Sequence, residues 1–219
     1  MPLDAPSFPV SLVVAGRPCL VVGGGRVAAR KVDALVRSEA DVTVVAPEVD
    51  DAIVRAAVSV ERRAYEPGEA ARYRLVITAT GVAAVDRQVF ADAEAAGVFV
   101  NAADDPEACT FVLPAVLRRG AVSVAVSTDG TSPALATLVR DRIAALVGPE
   151  YGELATRIGR VRAEVRANGR SSEGLEWRGL AEAILEARGR GAAPAEIDSL
   201  VASWRAAQDG ADIVRSPTS

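Results

Sequence analysis

Two periods alternate along the first half of the chain. Short apolar, β-branched runs stand at 10–14 (VSLVV), 18–22 (PCLVV), 41–47 (DVTVVAP), 59–65 (SVERRAY), 74–81 (RLVITATG) and 97–105 (GVFVNAADD). Runs of that length predict strands. Between most of them, apolar residues recur every three or four positions. Val27, Val32, Leu35 and Val36 fall on one face and predict a helix; further helices are predicted over 48–58 and 83–96. Ala15-Gly16-Arg17 reads as a tight turn joining the first two runs. Strands alternating with helices at this spacing predict a parallel, doubly wound α/β sheet.

The pattern changes after residue 110. The segment 111–130 holds two β-rich runs around Arg119-Gly120, a predicted hairpin with no helix between its strands. A helix is predicted over 131–148, with Ser132 as N-cap, Pro133 at the first helical position and a stripe of Leu135, Leu138, Val139, Ile143 and Leu146. Tyr151, Leu154, Ile158, Val161 and Val165 form one narrow stripe suited to packing on another helix. Two more helices are predicted at 173–189 and 194–207. The expected organisation is a Rossmann-type domain at 1–113, a hairpin-and-helix region at 114–148, a small all-helical domain at 149–209 and a disordered tail at 210–219.

Composition narrows the function. Half of the 219 residues are hydrophobic and only 4% are aromatic, so the core is expected to be aliphatic. A net charge of −4 argues against a general nucleic-acid binder, which needs a basic field. Lys31 is the only lysine, so arginine carries the positive charge and can grip carboxylates or phosphates in a bidentate way. Cys19 and Cys109 have neither disulfide-scaffold nor zinc spacing. No apolar run reaches the roughly 18 residues of a membrane span, and the first residues lack the pattern of a signal peptide; a cytoplasmic protein is expected. There is no histidine, so acid–base chemistry falls to carboxylates, Tyr, Cys or Lys31.

Gly23-x-Gly25-x-x-Ala28 follows a predicted strand and opens a predicted helix, the context that gives such a motif its meaning. The first glycine permits the tight turn, the second lets backbone approach a pyrophosphate, and the small third residue lets helix and strand pack closely. The helix N-terminus then offers free N–H groups and a favourable dipole. The motif points to NAD or NADP bound at Gly23, Gly24 and Gly25. The second strand ends Val45-Ala46-Pro47 without the usual ribose-binding carboxylate, and Glu48 comes one step late, so Pro47 and Glu48 are the candidates there. Thr80 and Gly81, at the end of the strand over 74–81, are expected beside the cofactor, at the carboxyl edge of the sheet.

Five segments in order, VVGGGRVAARKV (21–32), VTVVAPE (42–48), VITATG (76–81), VNAADDPEACTFVLPA (100–115) and VSVAVSTDGTSPALATLVR (122–139), resemble the precorrin-2 dehydrogenase family, which is also the N-terminal module of siroheme synthase. The resemblance covers roughly residues 7–165. It implies NAD-dependent oxidation of precorrin-2 to sirohydrochlorin by an intertwined homodimer, with 114–148 as the dimerisation region. It implies that Arg26-Val27 and Pro47-Glu48 touch the cofactor, that Asp104 is the catalytic residue and that Thr128 stands at a position facing the active site, where the fused bacterial enzyme has serine. It leaves 170–219 unassigned.

Dehydrogenation of a ring carbon sends a hydride to the nicotinamide and protons to a base; Asp104 is the candidate general base. Asp104-Asp105-Pro106 is also an ordinary turn sequence, with Asp105 able to fill either role. For a tetrapyrrole bearing many carboxylates, Arg118, Arg119 and Arg140 (with Arg142 nearby) are candidate anion contacts, and Ser127, Thr128 and Thr131 candidate hydrogen-bonding groups. Some relatives in the family also insert iron; without histidine, that activity is expected to be weak or absent, and no metal site is predicted. The rival reading is a non-enzymatic NAD(H)-sensing dimer. Such a sensor needs the glycine loop but has no use for the Asp104 loop or the Gly-Thr-Ser-Pro segment.

Overall fold

In the computed structural model, residues 7–56 and 58–215 are described, with side chains as far as Gln208. The chain divides into two compact units. Among the described residues, one comprises those up to Leu113 together with Ser127–Ser132; the other comprises Pro114–Val126 and those from Pro133 onward.

The first unit is a five-stranded parallel sheet of β1 (Pro18–Val22), β2 (Asp41–Val45), β3 (Ser59–Glu61), β4 (Leu75–Thr78) and β5 (Phe99–Ala102), in the order β3-β2-β1-β4-β5. The order reverses at β1, which pairs with β2 on one side and β4 on the other. Helices α1 (Arg26–Val36), α2 (Asp51–Arg55) and α3 (Ala83–Ala95) connect the strands. Alternate residues of each strand feed two cores. Cys19 and Val21 join Val42, Val44 and Ile77 against α1 and α2, whereas Leu20 and Val22 join Val76 and Val100 against Val89 and Ala93 of α3. Burial on both faces explains why these strands read as near-continuous apolar runs. The largest fully buried side chains are all Leu, Ile, Val, Thr or Cys, as the scarcity of aromatics predicts.

The run at 10–14 is not a strand: it lies outside any sheet, with Val10, Leu12 and Val13 exposed. The turn at Ala15-Gly16 does form, the Arg17 N–H donating to the Val14 carbonyl at 2.9 Å. A hairpin partner for β1 has no free edge to pair with, because β2 and β4 already occupy both. Other elements are shorter than predicted. Asp50, whose carboxylate accepts from the Ala52 N–H at 2.8 Å, delays α2 to residue 51. β3 stops at Glu61, and Arg63 turns away to pair with Glu61 and with the buried Glu69.

The second unit begins with the predicted hairpin, β6 (Ala115–Arg119) antiparallel to β7 (Val122–Val126), followed by α4 (Pro133–Ala144). The apolar stripe expected of α4 is only partly covered. Ala136 is the helix's buried residue, while Leu135 and Leu138 are each 49% exposed and Leu146, just beyond, 77%. A two-stranded sheet covers too little of a helix to bury its whole stripe. Helices α5 (Glu150–Ala167), α6 (Trp177–Gly189) and α7 (Pro194–Arg215) pack around Leu154, Val161, Leu180, Ile184, Ile197 and Val201. Trp177 and Trp204 stack with ring centroids 4.6 Å apart. The start of α6 falls at 177 rather than 173 because Glu176 caps it, accepting from the Gly179 N–H at 3.0 Å. α7 runs through Arg215, past the point where fraying was expected; residues 216–219 of that expected tail lie outside the described residues. Among the described residues no helix is long and apolar enough to cross a membrane.

Candidate functional site

The carboxyl ends of β1, β2 and β4 frame a cavity of about 710 Å³, within the size range of small-molecule sites. Its wall includes Gly23, Gly24, Gly25 and Arg26 from the glycine loop and Pro47 and Glu48 after β2, with Thr80 after β4. Seven residues expected at a cofactor site thus meet in one place. Val27 and Gly81 adjoin this wall in sequence without lining it.

Each glycine of the loop has a different reason to be glycine. Gly23 has φ of +118°, and a Cβ there would lie 2.4 Å from the Ala79 carbonyl oxygen. A Cβ on Gly24 would lie 1.9 Å from the Glu48 carbonyl oxygen, while the Asp50 N–H donates to the Gly24 carbonyl at 2.8 Å. The glycine loop is therefore sutured to the turn after β2. At Gly25 nothing lies within 4 Å of the Cβ position. Gly25 is the N-cap of α1; no side chain caps that helix and no acidic residue occupies its first turn. Its leading N–H groups and positive dipole end therefore suit an anion. Ala28 is fully buried beneath them, as the motif requires.

The β2 edge carries Glu48, exposed on the cavity wall, whereas Asp50 is committed to capping α2. Beyond it the wall is completed by Ala64 and Tyr65. The Tyr65 hydroxyl donates to Asp92 at 2.8 Å and accepts from the Ala70 N–H at 3.2 Å. Burial, then the bond to Asp92, pushes the Tyr65 phenol up. For Asp92, burial would raise the carboxyl, but bonds from the Gly68 N–H, the Tyr65 hydroxyl and Gln88 together hold it below its ordinary value. Neither Tyr65 nor Asp86, which bonds to Thr80, was singled out from sequence. The signals available were an aromatic in a chain with few of them, and an acid in the first turn of α3 six residues after Thr80.

Asp104 stands just past the carboxyl end of β5, the strand beside β4. The loop that carries it is clasped at its base. The Ala103 N–H donates to the Thr78 carbonyl at 2.9 Å, and the Asn101 side chain donates to the Phe111 carbonyl at 2.9 Å. The two adjacent aspartates differ. Asp105 accepts from the Glu107 N–H at 3.2 Å and lies 3.8 Å from Arg87, the work of a turn residue. Asp104 is exposed, and among the described residues its carboxylate makes no hydrogen bond or close ion pair. Lys31 of α1 is half-buried; burial lowers its pKa first, Arg30 adds to this, and Asp104 and Cys109 oppose it. Burial pushes the Cys109 thiol up, and its sulfur lies 3.3 Å from the Ala102 carbonyl oxygen.

The expected substrate contacts fall in both units. In the first, the Thr128 hydroxyl accepts from the Ser132 N–H at 3.0 Å, the Ser127 hydroxyl accepts from the Asp129 N–H at 3.1 Å, and Thr131 bonds to the Thr128 carbonyl. In the second, Arg119 donates to the Val147 carbonyl at 3.0 Å and reaches that of Ala144 at 3.5 Å, closing the end of α4. Arg140 pairs with Asp141 at 2.6 Å. Arg118 is exposed on β6. Among the described residues, no group of three or more His, Cys, Asp or Glu gathers to hold a metal ion.

Comparison with known proteins fits these features. Residues 10–115 match the family described as "Putative NAD(P)-binding", and residues 119–146 the family described as "Sirohaem biosynthesis protein central". The chain is 41% identical over 153 residues to a siroheme synthase of Methylobacillus flagellatus, an alignment covering 68% of this chain and 33% of that protein. It is 40% identical over 164 residues to a siroheme synthase of Nitrosomonas europaea, covering 73% and 34%. The chain thus spans about a third of the length of these curated relatives. A solved structure titled "SirC, precorrin-2 dehydrogenase" superposes with a TM-score of 0.70 at 24% identity, covering 91% of this chain and 99% of that one, a likeness of fold. The chain is thus similar to the siroheme synthases over an NAD(P)-binding module followed by a sirohaem-biosynthesis central module.

Proposed function

We propose that the chain binds NAD in the cavity at the glycine loop and oxidises precorrin-2 to sirohydrochlorin, with Asp104 as general base. The observation that carries this reading is the turn at Gly23-Gly24-Gly25. It puts an uncapped helix N-terminus and an open Cβ position on the wall of a cavity of dinucleotide size, so the residues present fit the cofactor. The substrate comes from the relatives, which are named siroheme synthases, and from a fold shared with a protein titled precorrin-2 dehydrogenase.

Bound NAD supplies a hydride acceptor. The chain's own residues do the rest. The N–H groups at the start of α1 take the pyrophosphate, with Gly25 leaving room for it and Arg26 and Val27 at its side. Pro47 presents backbone and Glu48 its carboxylate to the adenosine ribose hydroxyls. Thr80 and Gly81 border the nicotinamide end. Asp104, exposed and not engaged as a turn residue, accepts the proton released as the hydride leaves.

For the substrate's carboxylates we assign Arg118, Arg119 and Arg140 and the hydroxyls of Ser127, Thr128 and Thr131. We assign residues 1–113 to the NAD-binding domain, 114–148 to the dimerisation region and 149–209 to the helical domain. The assembly proposed is a homodimer. In it a second copy covers the apolar surface of Val116, Leu135, Leu138 and Leu146, which the protomer leaves exposed. Two buried, unpaired cysteines suit a reducing compartment, so we place the protein in the cytoplasm.

The test is anaerobic incubation of purified protein with NAD⁺ and freshly made precorrin-2. Formation of sirohydrochlorin above the rate without protein supports the proposal. Tight NADH binding with no turnover would instead favour a sensor.

A further inference from the structure

We infer that Asp86 is a positioning residue for the dinucleotide, its carboxylate fixing the Ala79–Thr80 wall of the cavity in the shape that meets the cofactor. The inference rests on the reading of that cavity as the NAD site. Asp86 does not itself line the cavity; Ala79, Thr80, Val82 and Val85 do. One of its oxygens, Oδ1, accepts from the Thr80 hydroxyl at 2.8 Å, from the Thr80 N–H at 3.3 Å and from the Thr78 hydroxyl. Thr78 is fully buried at the end of β4, and a buried hydroxyl needs a partner. The Thr80 hydroxyl accepts in turn from the Val82 N–H at 3.0 Å, which shapes the turn into α3.

The same turn is held from its other side by the glycine loop. The Ala79 N–H donates to the Val22 carbonyl at 2.8 Å, and the Ala79 carbonyl fills the space where a Gly23 side chain would be. The β4–α3 turn is thus held between the phosphate loop and one carboxylate. A carboxylate in the first turn of a helix is further favoured by the dipole. Removing it frees the Thr80 wall; an amide in its place keeps an acceptor at Oδ1, though a weaker one.

The experiment is fluorescence titration of NADH into the full chain, with steady-state turnover alongside, for the parent, Asp86→Asn, Asp86→Ala and the double variant Thr78→Val/Asp86→Ala. The double variant removes the buried donor together with its acceptor, so that folding and positioning separate. The expected result is NADH binding weakened ten-fold or more in Asp86→Ala and in the double variant, and two- to three-fold in Asp86→Asn. The KM for NAD⁺ should rise in parallel while kcat at saturating NAD⁺ stays within two-fold. Parent-like NADH affinity in the double variant overturns the inference and leaves the NAD site standing. Failure of the unaltered chain to bind NADH removes the site reading and the inference with it.

Discussion

The Cβ position of Gly24 lies 1.9 Å from the carbonyl oxygen of Glu48, whereas that of Gly25, one residue on, meets nothing within 4 Å. Two neighbouring glycines therefore differ: a side chain at Gly24 would meet packed backbone, and one at Gly25 would enter the open space proposed for the cofactor. Gly24→Ala must push the turn after β2 away and is expected to cost about 2 kcal/mol or more. Gly25→Ala should leave the melting temperature within a few degrees and weaken NADH at least ten-fold, because its methyl group takes the space assigned to the pyrophosphate. Thermal melts and NADH titration of the two variants check this; equal loss of stability in both contradicts it.

Asp104 and Asp105 separate in the same manner. Asp105 caps a turn, so Asp105→Ala is expected to cost about 1 kcal/mol of stability. Asp104 bears no such load. Asp104→Asn should keep the melting temperature and NADH affinity of the parent and lose 100-fold or more in kcat, the scale of a lost general base. A variant that keeps the parent's rate removes Asp104 from the mechanism.

Lys31 offers a direct probe of the same loop, because it is the only lysine in the chain. Burial holds its pKa below 10.5 and Asp104 works against that shift. The pH dependence of its modification by trinitrobenzenesulfonate, followed on the Lys31 peptide by mass spectrometry, should give a midpoint below 10.5. In Asp104→Asn the midpoint should fall further. A midpoint unmoved by that substitution means the two groups do not interact.

Much of this was legible in the sequence, and where it was not the reason is physical. The strand–glycine–helix unit was clear because local sterics dictate it: a larger side chain would collide with backbone at Gly23 and with the packed strand at Ala28. The strand expected at 10–14 failed because its composition suits a strand but β1 has no open edge to receive it, a property of topology that periodicity cannot express. Gly24 sat at an unspecified position of the motif, and its contact with Glu48 exists only once β2 lies beside β1. Asp86 carries little sequence signal of its own, because its partners, Thr78 and Thr80, meet it only when the turn into α3 has folded back. The bonds by which Arg119 closes the end of α4 depend on the hairpin lying against that helix, which no local pattern expresses. The stripe on α4 was visible, while the small area its hairpin covers was not.

The fully buried Cys19 in β1 makes stability depend on alkaline pH. Burial first, then Asp41, raises its pKa from 9.0 to about 11. The folded state therefore keeps a proton that the unfolded state begins to lose near pH 9. This contribution is fully present below pH 9 and is lost as pH rises through 11. Across that window the unfolding free energy of the parent should fall by about 2–3 kcal/mol more than that of Cys19→Ala, with Tyr65 and Cys109 affecting both proteins alike. Parallel urea-unfolding curves for the two proteins between pH 9 and 11 would contradict it.

The central claim, oxidation of precorrin-2 at the glycine-loop site, is tested most directly by the stoichiometry of a single turnover. Excess protein is mixed anaerobically with NAD⁺ and a limiting amount of precorrin-2, and NADH and sirohydrochlorin are measured in the same sample. The account predicts one NADH for each sirohydrochlorin, with both products formed at least 100-fold more slowly by Asp104→Asn although it still binds NADH. Sirohydrochlorin formed without matching NADH, or no sirohydrochlorin from protein that binds NADH tightly, would contradict it.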